Sequence, residues 1–237
     1  MTEEPGRNAA MRLRRMHDLL MAAYGPQSWW PAETSFEVIV GAYLTQNTSW
    51  KAVERSLGNL RAAGALSIEG LRRISLEELG EAIRPSGFQT RKAPALKGFV
   101  HLLDAEYGGS LAEMAGAQTS ALRARLLRLP GVGNETADAI LLYALGHPTP
   151  VADEYLRRIV ERHRLLDPPP GRNGKGYEAL VKLTREGFAA DRGAKRAQLL
   201  NEFHALTVAV GKRHCGKVAR CDSCPLAPDL TSLLPSR

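Results

Sequence analysis

"LPGVGNETADAILLYALGHPTPVADEY", residues 129–155, decides how the rest of the chain is read. The preceding "ALRARLLRL" has a helical period that stops at Pro130, whose ring removes a backbone donor and clashes with the turn before it. "NETADAILLYALG" then opens a second helix near Asn134, so two helices meet at Pro130-Gly131-Val132-Gly133. Gly131 and Gly133 carry no side chains. An anionic group can therefore approach the amides at the positive end of the second helix, and a phosphate suits that place. The same glycines would also serve a plain helix–turn–helix corner in which glycine supplies positive φ. A dinucleotide fingerprint is disfavoured, because Thr136 stands where its third glycine would be and no strand precedes the turn. The Gly-Lys-Ser/Thr of a P-loop is missing.

Asp153 follows that helix and the bend "HPTP", just before the amphipathic "EYLRRIVERHR". An aspartate there is most often an N-cap. The cap is compatible with chemistry, because a carboxylate at a helix N-terminus stays ionised and can stabilise positive charge on a deoxyribose ring or orient water.

Composition narrows the partners. The 237 residues contain 44% hydrophobic residues, enough for a real core, and 32 Lys+Arg against 25 Asp+Glu leave a net charge of +7. That balance suits a polyanionic partner such as nucleic acid. "MTEEPGRNAA" lacks the apolar core of a signal peptide and no run reaches a membrane span, so a cytoplasmic protein among reduced thiols, with no membrane partner, is expected. Cys215, Cys221 and Cys224 fall in one short stretch, which favours a metal or cluster site over a disulfide framework.

The dominant period is helical at 9–24, 176–190 and 194–211. "FEVIVGAYL" (36–44) has strand propensity, but "TSFE" before it has the form of a capping box, as does "SLEE" (75–78); it reads as a buried helix. The expected class is all-α. Short Gly/Pro-rich breaks at 84–94, 106–110, 146–150 and 167–176 separate the helices.

Taken in order, "LPGVGNETADAI", "GHPTPVADEYLRRIVER" and "HCGKVARCDSCPL" resemble the hairpin, aspartate loop and cluster loop of the helix-hairpin-helix DNA glycosylases related to endonuclease III, over about residues 29–226. The resemblance implies a two-domain fold with a lesion pocket between the domains. An N-terminal helix (1–33) would pack with the C-terminal domain, a six-helix barrel with hairpin 129–134 would take 34–148, and a helical domain with the cysteine loop 215–229 would take 149–237. It also implies a base-excision role on duplex DNA carrying a damaged base, with the chain acting as a monomer. "LTQNTSW" matches the segment that enters the gap left by a flipped base and offers Gln46 or Asn47 for it; Pro130, Gly131, Val132 and Gly133 would grip the backbone.

Departures refine the expectation. Where endonuclease III has its Schiff-base lysine, this chain has Glu135, and a carboxylate cannot form an imine. Asp153 matches the catalytic aspartate, so a monofunctional glycosylase is expected. The 3-methyladenine DNA glycosylase branch similarly carries Glu there and a "WWP" like Trp29-Trp30-Pro31. Trp29, Trp30 and Trp50, with Tyr155, are the candidate pocket for a cationic alkylated purine, held by stacking and cation–π attraction of roughly 0.5–2 kcal/mol. Buried indoles could equally be core anchors.

The family loop usually has a fourth cysteine, which is absent here. Asp229 in "CPLAPDL" is the candidate oxygen ligand, with His214 next. A [4Fe-4S] cluster with a non-cysteine ligand leads, ahead of a three-iron cluster or a zinc site. The alternatives to the hydrolytic glycosylase are an endonuclease III-type glycosylase/lyase acting on oxidised pyrimidines and a non-catalytic DNA-damage-binding protein.

Overall fold

A computed structural model describes residues 5–30 and 32–231; Pro31 of the tryptophan motif and residues 1–4 of the acidic N-terminus lie outside them. In chain order the helices are α1 (Pro5–Tyr24), α2 (Ser35–Leu44), α3 (Trp50–Ala62), α4 (Ile68–Arg73), α5 (Leu76–Ala82), α6 (Gln89–Tyr107), α7 (Leu111–Gly116) and α8 (Thr119–Leu126). They continue with α9 (Asn134–Ala139), α10 (Glu154–Arg162), α11 (Gly174–Gly187), α12 (Gly193–Arg213) and α13 (Ala227–Thr231). A 3-10 turn covers Arg84–Ser86, and α9 runs directly into a π-helical turn at Ile140–Ala144. The class is all-α: the described residues contain no strand, only an isolated bridge between Cys215 and Ala219. None of their helices is long and apolar enough to cross a membrane.

The chain divides into two compact units, with breaks after Trp29 and after His147. The first break falls earlier than the expected residue 33, because the Trp30 indole lies on α2: a Cβ on Gly41 would sit 3.1 Å from its Cζ2.

The middle unit is built around α2, whose residues Phe36–Leu44 are all buried. This explains why "FEVIVGAYL" is apolar on every side and still helical: a helix surrounded by others needs no polar face. Tyr43 meets Phe99 of α6 edge-on at 6.3 Å, and Ile39, Leu44, Leu60, Leu71 and Leu141 complete a fully buried core. Each such side chain contributes about 1.5–3 kcal/mol. The caps follow their sequence signals in part. Thr34 Oγ1 accepts from the Glu37 amide, but the Glu37 carboxylate accepts from the amide of Glu33, one residue before the cap. Ser75 and Glu78 form the full reciprocal box on α5.

The second unit joins α1 to the C-terminal helices. α1 packs on α11 and α12 through Leu13, Met16 and Leu20, all buried. His17 meets Phe188 edge-on at 5.4 Å, and Phe188 packs on Phe203 at 5.2 Å.

Candidate active site

In the middle unit, the hairpin is held from both sides. Arg123 of α8 clamps the buried Asp138 of α9 through Nε and Nη2 (2.7 and 2.9 Å) and reaches Asn134 Oδ1 at 3.3 Å, tying together the helices that flank the turn. Val132 is buried, whereas Pro130, Gly131 and Gly133 are exposed. The two glycines differ in kind. Gly131 has φ +75, which L side chains rarely adopt, so the fold itself asks for glycine there. Gly133 is extended (φ −95, ψ 179), and a Cβ on it would meet nothing within 4 Å. This chain therefore gives no internal reason for a glycine at 133. Glu135, in the first turn of α9, is exposed.

The tip after α2 joins this group. Gln46 Nε2 donates to Gly131 O (2.9 Å) and to Thr136 Oγ1 (3.0 Å), coupling the tip to the hairpin. Asn47 is exposed in the left-handed conformation at φ +53, which asparagine tolerates better than most residues. Of the two gap candidates, Gln46 is engaged by the hairpin and Asn47 is the more exposed.

The aromatic set is distributed over two clusters. Trp30 meets Trp50 at 5.6 Å and Tyr143 at 5.5 Å, both edge-on, within the middle unit. Trp50 Nε1 donates to Glu54 Oε1 (2.8 Å). Tyr143 was not singled out from the sequence: it lies on the π turn, whose wider register no sequence period announces. Trp29 belongs to the other unit, where its ring stacks on His204 of α12 (5.7 Å, 22°).

Tyr155, a candidate pocket residue, packs against α12. Its Cδ1 lies 2.1 Å from where a Cβ on Gly211 of α12 would be, and the Arg158 guanidinium covers its ring at 4.9 Å.

Asp153 is the N-cap of α10, as its position suggested. Its Oδ1 accepts from the Leu156 amide at 2.8 Å, and its Oδ2 lies 3.7 Å from His204 Nε2. The side chain is only 10% exposed. On α10 beyond it, Arg157 pairs with Glu154 and Glu161, and Arg157 hydrogen bonds chiefly hold the Glu154 carboxyl at about 2.

In the cysteine loop all three thiols are free of disulfides. Arg162 organises the loop's start, donating to Cys215 Sγ (2.9 Å) and to the carbonyls of Gly216 and Lys217. Burial, and then the nearness of Cys215 and Cys221, pushes the Cys224 thiol up. Cysteines gathered on one loop are the donor chemistry of an iron–sulfur or zinc site. The described residues nevertheless contain no group of three His, Cys, Asp or Glu side chains arranged to hold a metal ion. His214 contacts Arg220 O through Nδ1 at 3.3 Å.

Asp229, the candidate oxygen ligand, is engaged by Arg12 and His163. Arg12 grips its Oδ1 and Oδ2 (3.0 and 2.7 Å), and His163 Nδ1 adds a contact to Oδ2 at 2.7 Å. Burial works to raise its pKa, but hydrogen bonds from His163 and Arg12 hold it at about 2. Both oxygens are already engaged in tying α13 to α1 and α10.

Comparison with known proteins agrees with this architecture. The model of the HhH-GPD superfamily of base excision DNA repair proteins matches residues 40–183. A Methanocaldococcus jannaschii protein, provisionally named as a DNA repair glycosylase, is 40% identical over 215 residues, 90% of this chain and 92% of its own. The thymine/uracil-DNA glycosylase of Pyrobaculum aerophilum is 28% identical, covering 84% of this chain and 80% of its own. Among solved structures, the H. pylori 3-methyladenine DNA glycosylase bound to 1,N6-ethenoadenine superposes with a TM-score of 0.70 at 28% identity, over 91% of this chain and 99% of that one.

Proposed function

The chain belongs to the HhH-GPD superfamily of base excision DNA repair proteins, and with that as premise we propose that this DNA glycosylase hydrolyses the N-glycosidic bond of alkylated purines without cutting the strand. The carrying observation is Asp153. One oxygen is fixed on the Leu156 amide of α10 and the side chain is largely buried beside His204, a fixed carboxylate of the kind that stabilisation of a sugar cation requires. Water adds at C1′, the base departs with the electron pair of the broken bond, and the water proton passes through the carboxylate to solvent. A cationic purine leaves as a neutral base and needs little acid assistance. Glu135 at the lysine position supports hydrolysis over imine formation.

The aromatic residues motivate the substrate clause. Trp30, Trp50 and Tyr143 form one electron-rich cluster and Trp29 lies in a stack of its own, and such rings favour a flat cation. The likeness to the H. pylori enzyme supports the same reading. Gly133, for which the fold has no use, supports close approach of a DNA phosphate to the hairpin, and Gln46 braces the tip that presents Asn47. In the cysteine loop, Cys215, Cys221 and Cys224 would hold a [4Fe-4S] cluster whose contribution is structural.

A second reading is favoured by the Pyrobaculum aerophilum relative, whose name would make a pyrimidine the substrate. One assay separates them: purified protein on duplexes carrying 3-methyladenine, thymine glycol or thymine opposite guanine, with and without alkali. Faster release of 3-methyladenine, with breaks only after alkali and no borohydride-trapped complex, is expected. Faster release of thymine or thymine glycol would overturn the substrate clause, and efficient trapping would overturn the hydrolytic one. Iron and sulfide in protein prepared without oxygen test the cluster; zinc or metal-free protein would exclude it.

A further inference from the structure

His204 belongs to none of the sequence motifs, yet it lies between two residues that do. Its ring stacks on Trp29 at 5.7 Å and 22°, and its Nε2 is 3.7 Å from Asp153 Oδ2. The residue is only 7% exposed, so the imidazole is packed in place. Two residues earlier on α12, the Glu202 carboxylate accepts from the amides of Gln27 (2.6 Å) and Ser28 (3.1 Å). Ser28 holds a left-handed φ of +48, a conformation that persists in a non-glycine residue only where the surroundings over-determine it. α12 thereby fixes the backbone that carries Trp29 and, through His204, supplies the ring against which the indole rests.

The Asp153 carboxylate needs such a neighbour. The α10 amide holds Oδ1 by a single hydrogen bond, so the carboxylate, which turns as a rigid unit, is steadied from one side only. The imidazole edge stands where Oδ2 would swing. At 3.7 Å the contact is longer than a hydrogen bond, and catalytic contacts commonly tighten when substrate is bound.

We infer that His204 is a positioning residue for Asp153, aligning the free oxygen of the carboxylate while its other surface sets the plane of Trp29. The inference rests on the proposed role of Asp153 in base release. It assigns His204 no contact with the base. Removing the ring nitrogens should lower the rate of the chemical step and leave duplex affinity as it is; a residue that merely fills space would change stability without this split.

The test compares His204→Phe, which keeps a stacking ring without nitrogens, with His204→Gln, which returns a nitrogen near the Nε2 position. Single-turnover base release and duplex affinity are measured for each, alone and with Asp153→Asn. About tenfold slower release by His204→Phe at unchanged affinity, substantial recovery by His204→Gln, and no further loss from His204→Phe beside Asp153→Asn are expected. If the phenyl ring does not let the protein fold, His204→Ala carries the same comparison. Equal loss with and without Asp153→Asn, or a loss confined to affinity, overturns the inference. Unchanged release by Asp153→Asn itself would instead sink the role of Asp153. A readout without turnover completes the set: the ring NMR signals of His204 should move on Asp153→Asn and on Trp29→Leu, and signals indifferent to both would refute the contact.

Discussion

Asp153 and Asp229 lie in the same unit, both nearly buried and both close to a histidine, yet their surroundings differ. Asp229 has each oxygen held by Arg12, with His163 added on one of them. Asp153 has one oxygen on a backbone amide and the other at a looser 3.7 Å from His204. A saturated carboxylate holds structure together; a carboxylate with one oxygen in reserve can follow charge as it develops. Residue type and burial alone would not have told them apart.

The largest effect that could break this contrast is on stability. Asp229→Ala leaves Arg12 without its bidentate partner and should cost about 3 kcal/mol, as removal of one partner from a buried pair does, read as a lower thermal midpoint. If Asp229 were instead a cluster ligand, iron content would fall at unchanged apoprotein stability. Asp153→Asn comes next: base release should fall about 100-fold, close to 2.7 kcal/mol in the barrier, with duplex affinity kept. A loss of affinity rather than rate would make Asp153 a structural cap like its counterpart.

Acid sharpens the contrast further. The folded pKa of Asp229, about 2, lies below its ordinary 3.8, so its contribution to stability is present above pH 4 and disappears as pH falls towards 2. It amounts to about 2 kcal/mol. Asp229→Ala should flatten the stability–pH curve in that window, and an unchanged acid slope would show that other carboxylates carry it.

The smallest effects compare the hairpin glycines. Gly131→Ala must adopt φ +75 and should lose about 1 kcal/mol of stability, whereas Gly133→Ala should be nearly silent in a melt. Gly133→Glu should keep the fold and weaken binding to all duplexes alike. Loss on one lesion only would argue against a phosphate contact.

Much of the molecule was legible from the chain. The capping residues Thr34 and Ser75, the buried run 36–44 and the Asp153 cap are local: each depends on neighbours within one helical turn, where sequence and geometry are nearly the same thing, whereas the helix expected to run up to Pro130 already ends at Leu126. The partners that engage Asp229 and Tyr155, Arg12 and Gly211, could not be read from the chain because they are far away in sequence. Tyr143 and His204 were missed for the same reason: the π turn and the α12 platform that give them neighbours leave no period or motif behind.

By itself the sequence determined the all-helical class and the hairpin, since local backbone sterics and capping chemistry act within a few residues. Only the tertiary structure decided which aspartate is spent on holding the fold, which aromatic rings meet, and which histidine stands beside Asp153. Those outcomes depend on desolvation and on partners that the chain brings together only once it has folded, and a side chain's chemistry is set by the company it keeps.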